Sequence, residues 1–560
     1  MSLPERRRLA LRPDDAAALE NFAGAGGGGR WFKRALAVAP DFLQAWINLG
    51  ARASGAGERV LARRALKCAL ALSPAADAAW FNLGVASGND GAVAYRRTLA
   101  LDPEALDATA NLGDVLRSGD PLTQAIQPYR RALALDPSAP ALLKSLMFCL
   151  HYHPETESQA LFRLYRRWAA LQGPPDLSPH DVGAEEDRRL RVGYLSADLY
   201  DHPVGRNLVG LLEQHDRRLI EVHVYAEPVR EDGLTQRLKA NAAGWTSTAG
   251  SSDRQVAAKI RSDRIDILVV LAGHTPFNRV EVAAFKPAPV QLSMHDFTTS
   301  GLGQVDYFLS DPVLSPEAGA ERFTEKVVRL PCFYLHMPLP EVPLPEVPLT
   351  TGGDGPLVFG SCSNPAKLND RVIGLWARVL EGAPGTRLRL KYRERFADPL
   401  IQRRWRDLFA RAGVDPERLD FVSGGLGLEE HLARVGELDI ALDPFPFNGS
   451  TTTYEALWMG VPVVTLAGER FVGRTGLALL AQVGLAGLAV ETEGAYVAAA
   501  LGLARDAGRR ARLRRELRDR LKASPLLDAA GHARHLEAAL RRMWRDWCRR
   551  PSHTKERNHA

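Results

Sequence analysis

Ala45-Trp46-Ile47-Asn48-Leu49-Gly50 is written again, one side chain changed, 34 residues later as Ala79-Trp80-Phe81-Asn82-Leu83-Gly84. A third version, Ala108-Thr109-Ala110-Asn111-Leu112-Gly113, follows after only 29 residues, so one inter-helix turn there reads as trimmed. Segments that end in proline alternate with these copies: Arg34–Pro40, Ala69–Pro74, Thr98–Pro103 and Ala132–Pro137. Alanine and glycine let paired helices approach closely, and each proline stops one helix and begins the next unit. A unit of this size cannot bury its apolar face alone, so the array must stack.

The pattern is similar to the tetratricopeptide repeat, which implies an α-α superhelix. Asn48, Asn82 and Asn111 each stand eight residues after a proline and so share one face. They can bind the backbone of an extended peptide, or they can satisfy a neighbouring helix turn. The stretch 24–29 reads as a glycine-rich break before the array.

At 560 residues the chain exceeds one core. Its 72 basic and 66 acidic residues leave only +6, with no sustained block of one sign, so no nucleic-acid partner is required. Cys68, Cys149, Cys332, Cys362 and Cys548 form no C-x-x-C pair and no metal spacing, and read as thiols of a reducing compartment. The start lacks the apolar core of a signal peptide, and no apolar run approaches the ~20 residues of a membrane span. A cytoplasmic protein without a membrane partner is expected.

From residue 189 the texture becomes alternating strands and helices. Arg191–Ser196, Val222–Ala226, Asp266–Leu271, Pro289–Ser293, Tyr307–Ser310 and Val327–Leu330 are short apolar runs, and a second series follows at Leu357–Ser361, Arg387–Lys391, Leu419–Ser423, Asp439–Leu442 and Val461–Thr465. This argues βαβ units in two parallel sheets. The expected divisions are an N-terminal segment 1–29, repeats 30–150, a helical linker 151–188, a first Rossmann-like lobe 189–337, a Pro/Gly-rich linker 338–356, a second nucleotide-binding lobe 357–510 and C-terminal helices 511–560. The arginines of Leu536–Trp547 read as a solvated helix face. Two such lobes leave a cleft between their carboxyl edges.

The cleft has a candidate centre. After the apolar run 438–442, Pro444 and Pro446 stop the strand, Asn448-Gly449 turns the chain, and Ser450-Thr451-Thr452 stand where a helix begins, with Glu455 one turn on. A strand, a glycine turn and a helix N-terminus hold phosphate through backbone N–H groups and the helix dipole. The three hydroxyls can add donors, and Glu455 can accept from a ribose. The alternative is that Asn448-Gly449 is only a turn and Ser450 only a cap. Lys367, after the first strand of the second series, can neutralise a departing phosphate or simply face solvent. The glycines before Leu426 let a planar base lie against its backbone, with His431 placed to stack. In the first lobe His202 and His274, the latter followed by Thr275, stand after the first and third runs, at equivalent edges of one sheet, and His274 and Thr275 are expected to contact the nucleotide sugar.

Repeats followed by R-V-G-Y-L-S-A-D-x-x-x-H-P, A-G-H-T, K-P-A-P-V-Q, T-S-G and D-P-F-P-F-N-G-S-T-T-T-Y-E-A-L-W-M-G-V-P-V-V-T resemble the protein O-GlcNAc transferase family, from about residue 31 to the end. The resemblance implies tetratricopeptide repeats joined to an α/β GT-B fold. It implies a UDP-GlcNAc donor, with UDP as product, and no metal or other cofactor. Transfer goes, with inversion, to Ser or Thr hydroxyls of protein acceptors held along the repeat groove. By the same resemblance His202 is the active-site histidine, acting as base or as positioner. Lys367 and Asn364 lie by the diphosphate, Thr451 and Thr452 bind phosphate, and Glu455 meets ribose. His431 stacks on uracil, and Leu426 offers its backbone to the base edge. The family's intervening domain gives way here to the Pro-rich linker. Ser450 replaces a histidine, Leu428 a lysine, His295-Asp-Phe-Thr-Thr299 a G-Y-P-G-T sequence, and Val270 an aspartate of related bacterial chains. Two alternatives stand beside this reading: the same scaffold with another nucleotide sugar such as GDP-fucose, and a peptide-binding repeat protein with a degenerate transferase half.

Overall fold

The computed structural model describes residues 29–119, 121–176, 178–227, 229–344, 356–424 and 427–550. The glycine-rich break at 24–28, most of the linker at 345–355, and Leu426 therefore lie outside the described residues. The chain divides into two compact units, Met1–Cys149 and Leu150–Ala560. No helix among the described residues is long and apolar enough to cross a membrane, and none of the five cysteines is in a disulfide.

The first unit is helical: α1 (Gly29–Val38), α2 (Leu43–Gly55), α3 (Arg59–Leu72), α4 (Asp77–Ser87), α5 (Ala92–Leu101), α6 (Leu106–Arg117) and α7 (Ile126–Leu135), with α8 (Pro140–His151) following. Consecutive helices pack on one another, and the repeated letters explain why. Ala45, Ala79 and Ala108 are wholly buried. Trp46 and Trp80 donate their indole N–H to Pro40 and Pro74 carbonyls at 2.8 and 2.9 Å, the same bond one repeat apart. A Cβ at Gly84 would lie 2.6 Å from the Tyr95 ring and one at Gly113 2.6 Å from Tyr129, while Gly50 meets Leu66 in the same way. Glycine at that repeat position is what lets a bulky residue of the next helix seat.

The second unit opens with α9 (Ser158–Ala170) and then builds two sheets. The first contains β1 (Leu190–Ser196), β2 (Ile220–Ala226), β3 (Gly244–Ser247), β4 (Ile267–Leu271), β5 (Val290–Met294), β6 (Tyr307–Ser310) and β7 (Lys326–Arg329), in the order 3-2-1-4-5-6-7. The second contains β8 (Val358–Ser361), β9 (Arg387–Lys391), β10 (Leu419–Val422), β11 (Ile440–Leu442), β12 (Val463–Leu466) and β13 (Ala489–Val490), in the order 10-9-8-11-12-13. All pairings between these strands are parallel. Central strands such as β4 and β5 are buried at every residue, as helices on both faces require. The sequence reading lacks β3 and β13. Both are short edge strands, only half buried, with no apolar run to mark them.

Around the sheets lie α10 (Pro203–Gln214), α11 (Gly233–Ala240), α12 (Asp253–Ser262) and α13 (Glu281–Ala284) in the first lobe. The second lobe carries α14 (Asp370–Glu381), α15 (Pro399–Arg411), α16 (Leu428–Gly436), α17 (Thr451–Trp458), α18 (Thr475–Gln482), α19 (Glu493–Arg505) and α20 (Ala507–Lys522). The last helix, α21 (Ala529–Cys548), returns to pack on α10. Its arginines are not merely solvated. Arg541 donates to the Glu186 carbonyl, Arg545 pairs with Asp187 and Arg549 with Glu186. Glu537 on the same helix accepts from His215 at 2.8 Å. The described start of the Pro-rich linker is likewise docked rather than loose: Trp458 donates to Pro340 O and Arg518 to Val342 O.

In each sheet the strand order reverses beside the first strand, between β1 and β4 and between β8 and β11. Loops leaving the carboxyl ends of those strands splay apart there, which opens a crevice. Four loops are so placed: Ala197–His202, Ala272–Asn278, Cys362–Lys367 and Asp443–Ser450.

Candidate active site

The second lobe builds a candidate anion cradle from buried and half-buried groups. Asp443, at the end of β11, accepts the Gly449 N–H at 2.6 Å and the Thr465 hydroxyl at 2.6 Å. This folds the Pro-rich loop back on itself and aims the chain into α17. Asn448 is spent on the same fold: its side-chain amide donates to Pro444 O at 2.9 Å, and its backbone N–H to Val472 O. Gly449 sits where a Cβ would lie 2.6 Å from Thr452 Oγ1 and 3.0 Å from Asp443 Oδ1.

Ser450 occupies the N-cap position of α17 yet makes no capping bond; its hydroxyl pairs instead with Tyr334. The helix therefore presents its first-turn N–H groups without a side-chain acceptor of its own. Thr452 reaches across to Ser363 at 3.3 Å and ties this loop to the one after β8. From that loop Lys367 donates to the Asn448 carbonyl at 2.7 Å and lies 4.5 Å over the Phe447 ring. Burial pulls its pKa down to about 8, and the nearby Asp443 carboxyl opposes that shift. Asn364 accepts the Ala366 N–H through Oδ1 at 3.0 Å, which leaves its Nδ2 as the group to offer a ligand.

Beside the cradle, Lys391 at the end of β9 donates to His431 Nδ1 at 2.7 Å, and His431 Nε2 meets Glu455 Oε2 at 3.1 Å. The ammonium takes the Nδ1 lone pair, so the proton rests on Nε2 and points at the carboxylate. His431 and Glu455 are thus joined to each other, and to a lysine that sequence reasoning missed. Its only signal was its place as the last residue of a strand run.

In the first lobe His202 caps α10 by accepting the Val204 N–H at Nδ1, 3.4 Å. Asp198 Oδ1 stands 3.7 Å from the same nitrogen. Asp198 is fastened by Asn278 Nδ2 at 2.7 Å, which also donates to Thr275 Oγ1 at 2.8 Å. Asn278 Oδ1 in turn accepts from Ser196 and from the Ala197 N–H. Burial lowers the His202 pKa; Asp198 opposes this, and Arg393 across the cleft and Arg206 add to it. Asp198 and Asn278 were unassigned in the sequence, although Asp198 lies within the quoted motif. His274 is placed otherwise. It is 4% exposed, bonded through Nε2 to Ser300 O at 2.9 Å, and flanked by Tyr165 and Trp168 at 4.8 and 4.6 Å.

The two lobes meet near Lys367. Phe447 packs on Phe297 of the first lobe at 5.4 Å and stacks on Tyr152 at 4.8 Å. Glu321 of the first lobe accepts the Phe471 N–H at 2.6 Å. His295 takes φ 53°, a left-handed conformation that suits a glycine, and lies half-buried against Phe333. Among the described residues no group of three or more His, Cys, Asp or Glu is placed to hold a metal. In the helical unit, Asn82 donates to Ala78 O in its own turn, Asn48 accepts from Gln44, and Asn111 bonds Tyr95. Each thus satisfies a neighbour.

A family model described as "Glycosyl transferase family 41" matches residues 169–336 and 353–536. The chain is 33% identical over 410 residues to "Probable UDP-N-acetylglucosamine--peptide N-acetylglucosaminyltransferase SPINDLY" of Solanum lycopersicum, covering 72% of this chain and 44% of that protein. It is 29% identical to the corresponding protein named SEC of Arabidopsis thaliana, covering 68% and 40%. The chain thus spans less than half the length of these plant relatives. A solved structure of an O-GlcNAc transferase mutant from Thermobaculum terrenum superposes with a TM-score of 0.77 at 36% identity, over 90% of this chain and 98% of that one.

Proposed function

Because this chain belongs to glycosyl transferase family 41, we propose that it moves N-acetylglucosamine from UDP-GlcNAc to Ser or Thr hydroxyls of protein acceptors. The helical unit, read as a tetratricopeptide superhelix, takes the acceptor polypeptide on the face carrying Asn48, Asn82 and Asn111. The observation that carries the proposal is Lys367 bonded to the Asn448 carbonyl, two residues before the uncapped N-cap of α17. A half-buried cation beside a helix N-terminus binds a diphosphate and stabilises it as it leaves.

In the reaction the acceptor oxygen attacks the anomeric carbon from the face opposite the diphosphate and gives up its proton, to His202 as base or, where His202 only positions the hydroxyl, to water. The bond from that carbon to the diphosphate breaks, and its electron pair departs with UDP. Lys367, the α17 N–H groups and the Asn364 Nδ2 take up the developing charge. Thr451 and Thr452 add hydroxyl donors, and no metal or other cofactor is called on. Glu455, held by His431, accepts from the ribose, and the His431 ring lies along the base. His202 faces the reacting hydroxyl from the first lobe, with Asp198 fixing its neighbourhood. Five cysteines without a disulfide suit a cytoplasmic site of action.

The test is a donor panel. UDP-GlcNAc and UDP should raise the melting midpoint, whereas GDP-fucose should not, and released UDP should track sugar on protein. A midpoint moved only by GDP-fucose would transfer the reading to another donor. UDP binding without hydrolysis or transfer would reduce the chain to a nucleotide-binding repeat protein.

A further inference from the structure

The loop after β4 contains a side chain that the reaction above leaves unused. The Asn278 N–H donates to Thr275 O at 3.2 Å, which closes a four-residue turn around Pro276 and Phe277. Proline in the second place and φ +69° at Phe277 in the third is the pattern of a type II turn, whose third place normally takes glycine. A bulky L-residue there costs roughly 1–2 kcal/mol. Burial does not offset it, since Phe277 is 73% exposed. A lone exposed phenylalanine is ordinary; one that strains its own backbone to stay exposed is not.

The place of this turn narrows its purpose. Its first and last residues are Thr275 and Asn278, the pair that fastens Asp198 beside His202. Arg279 anchors the next position to Asp253, Glu227 and the Ser251 carbonyl, so the ring is held out from a fixed base. The groups proposed to hold the diphosphate and the uridine lie on the second lobe, whereas Phe277 stands on the first, one residue before the Asn278 that fastens Asp198 beside His202. We infer that Phe277 is the apolar contact for the acceptor polypeptide, seating an apolar or aromatic side chain that flanks the modified Ser or Thr. The inference rests on the transferase reading above and names a determinant of its acceptor choice.

The test compares Phe277→Gly, which suits the turn, with Phe277→Tyr, which keeps the ring. The probe is a Ser/Thr peptide library whose flanking positions are varied among apolar, aromatic, acidic and basic residues. The full chain should prefer apolar or aromatic flanks. Phe277→Gly should raise the KM for such peptides about five- to tenfold and erase the preference, while its midpoint holds or rises and UDP-GlcNAc hydrolysis is unchanged. Phe277→Tyr should restore the KM. An unchanged peptide KM in Phe277→Gly overturns the inference, as does a lowered midpoint, which would mean the ring packs on its own protein. Donor hydrolysis without transfer to any peptide also sinks it while leaving the donor site standing. Loss of hydrolysis in the unaltered chain defeats the transferase reading itself.

Discussion

Lys367→Met separates charge from shape at the centre of the site. The lysine lies over Phe447 and donates only to a neutral carbonyl, Asn448 O, among the bonds described for it. A lysine drawn from 10.5 to about 8 by burial carries roughly 3 kcal/mol of penalty for keeping its proton in the fold. Between pH 8 and 10.5 the unfolded chain binds more protons at this residue than the folded one, so stability rises with pH there and the full penalty is present below pH 8. Methionine fills the same volume without the charge. After the lost bond to Asn448 is deducted, at about 1 kcal/mol, the variant should be more stable at pH 7 by about 1–2 kcal/mol. That amounts to a few degrees of midpoint, and the gain should fade towards pH 10. Turnover should move the other way, with kcat falling by about 10²–10³ as the leaving diphosphate loses its cation. Calorimetry at pH 8.5 in buffers of different ionisation enthalpy adds a third reading. UDP should draw a proton onto the unaltered protein and none onto the variant. Near-normal turnover would refute the assignment. A variant that is both inactive and less stable would refute the reasoning, since it would have lost packing rather than charge.

Three further outcomes are expected. Gly449→Ala drives a methyl between Thr452, Thr453 and Asp443; overpacking of this kind costs about 1–3 kcal/mol, and a UDP titration should show at least about tenfold weaker binding. Gly84→Leu collides with the Tyr95 ring, so circular dichroism should show the helical unit melting earlier, and protein glycosylation should fall while UDP-GlcNAc hydrolysis persists. EDTA should leave transfer unchanged, since Lys367 and a helix end supply the positive charge; loss of activity restored by a divalent cation would overturn that part of the mechanism.

What the sequence made legible follows from how each part is encoded. The sheets are written as buried runs, and the anion cradle as strand stop, glycine turn and helix start, all within Asp443–Glu455. Gly50, Gly84 and Gly113 announced a close helix contact before its partners Leu66, Tyr95 and Tyr129 could be named. The connections between distant residues stayed hidden. Lys391 meets His431 from a strand forty positions away, and Asn278 fastens Asp198 across eighty. No local pattern encodes such pairs, because side-chain bonds between loops depend on sheet order, and sheet order is not a local property. The arginines of α21 went astray for the same reason: an amphipathic period marks a polar face without saying what that face meets.

The hydrogen bonds around His202 bear on which group takes the acceptor's proton. Nδ1 already accepts the Val204 N–H, so in the neutral ring, the form that burial favours, the proton sits on Nε2. That nitrogen then donates, and a donor can orient the acceptor oxygen or the sugar but cannot deprotonate a hydroxyl. For His202 to serve as base the proton must move to Nδ1, where Asp198 at 3.7 Å could hold it, and the helix cap must break. Asp198 is therefore the residue that decides between the roles. With Asp198→Asn the carboxylate is gone, the His202 pKa falls further, and the Nδ1–H form loses its partner. If His202 only positions, kcat should change little and the acid limb of the pH profile should shift downward. If it is the base, kcat should fall about 10²–10⁴-fold at every pH. The cap geometry favours the first outcome.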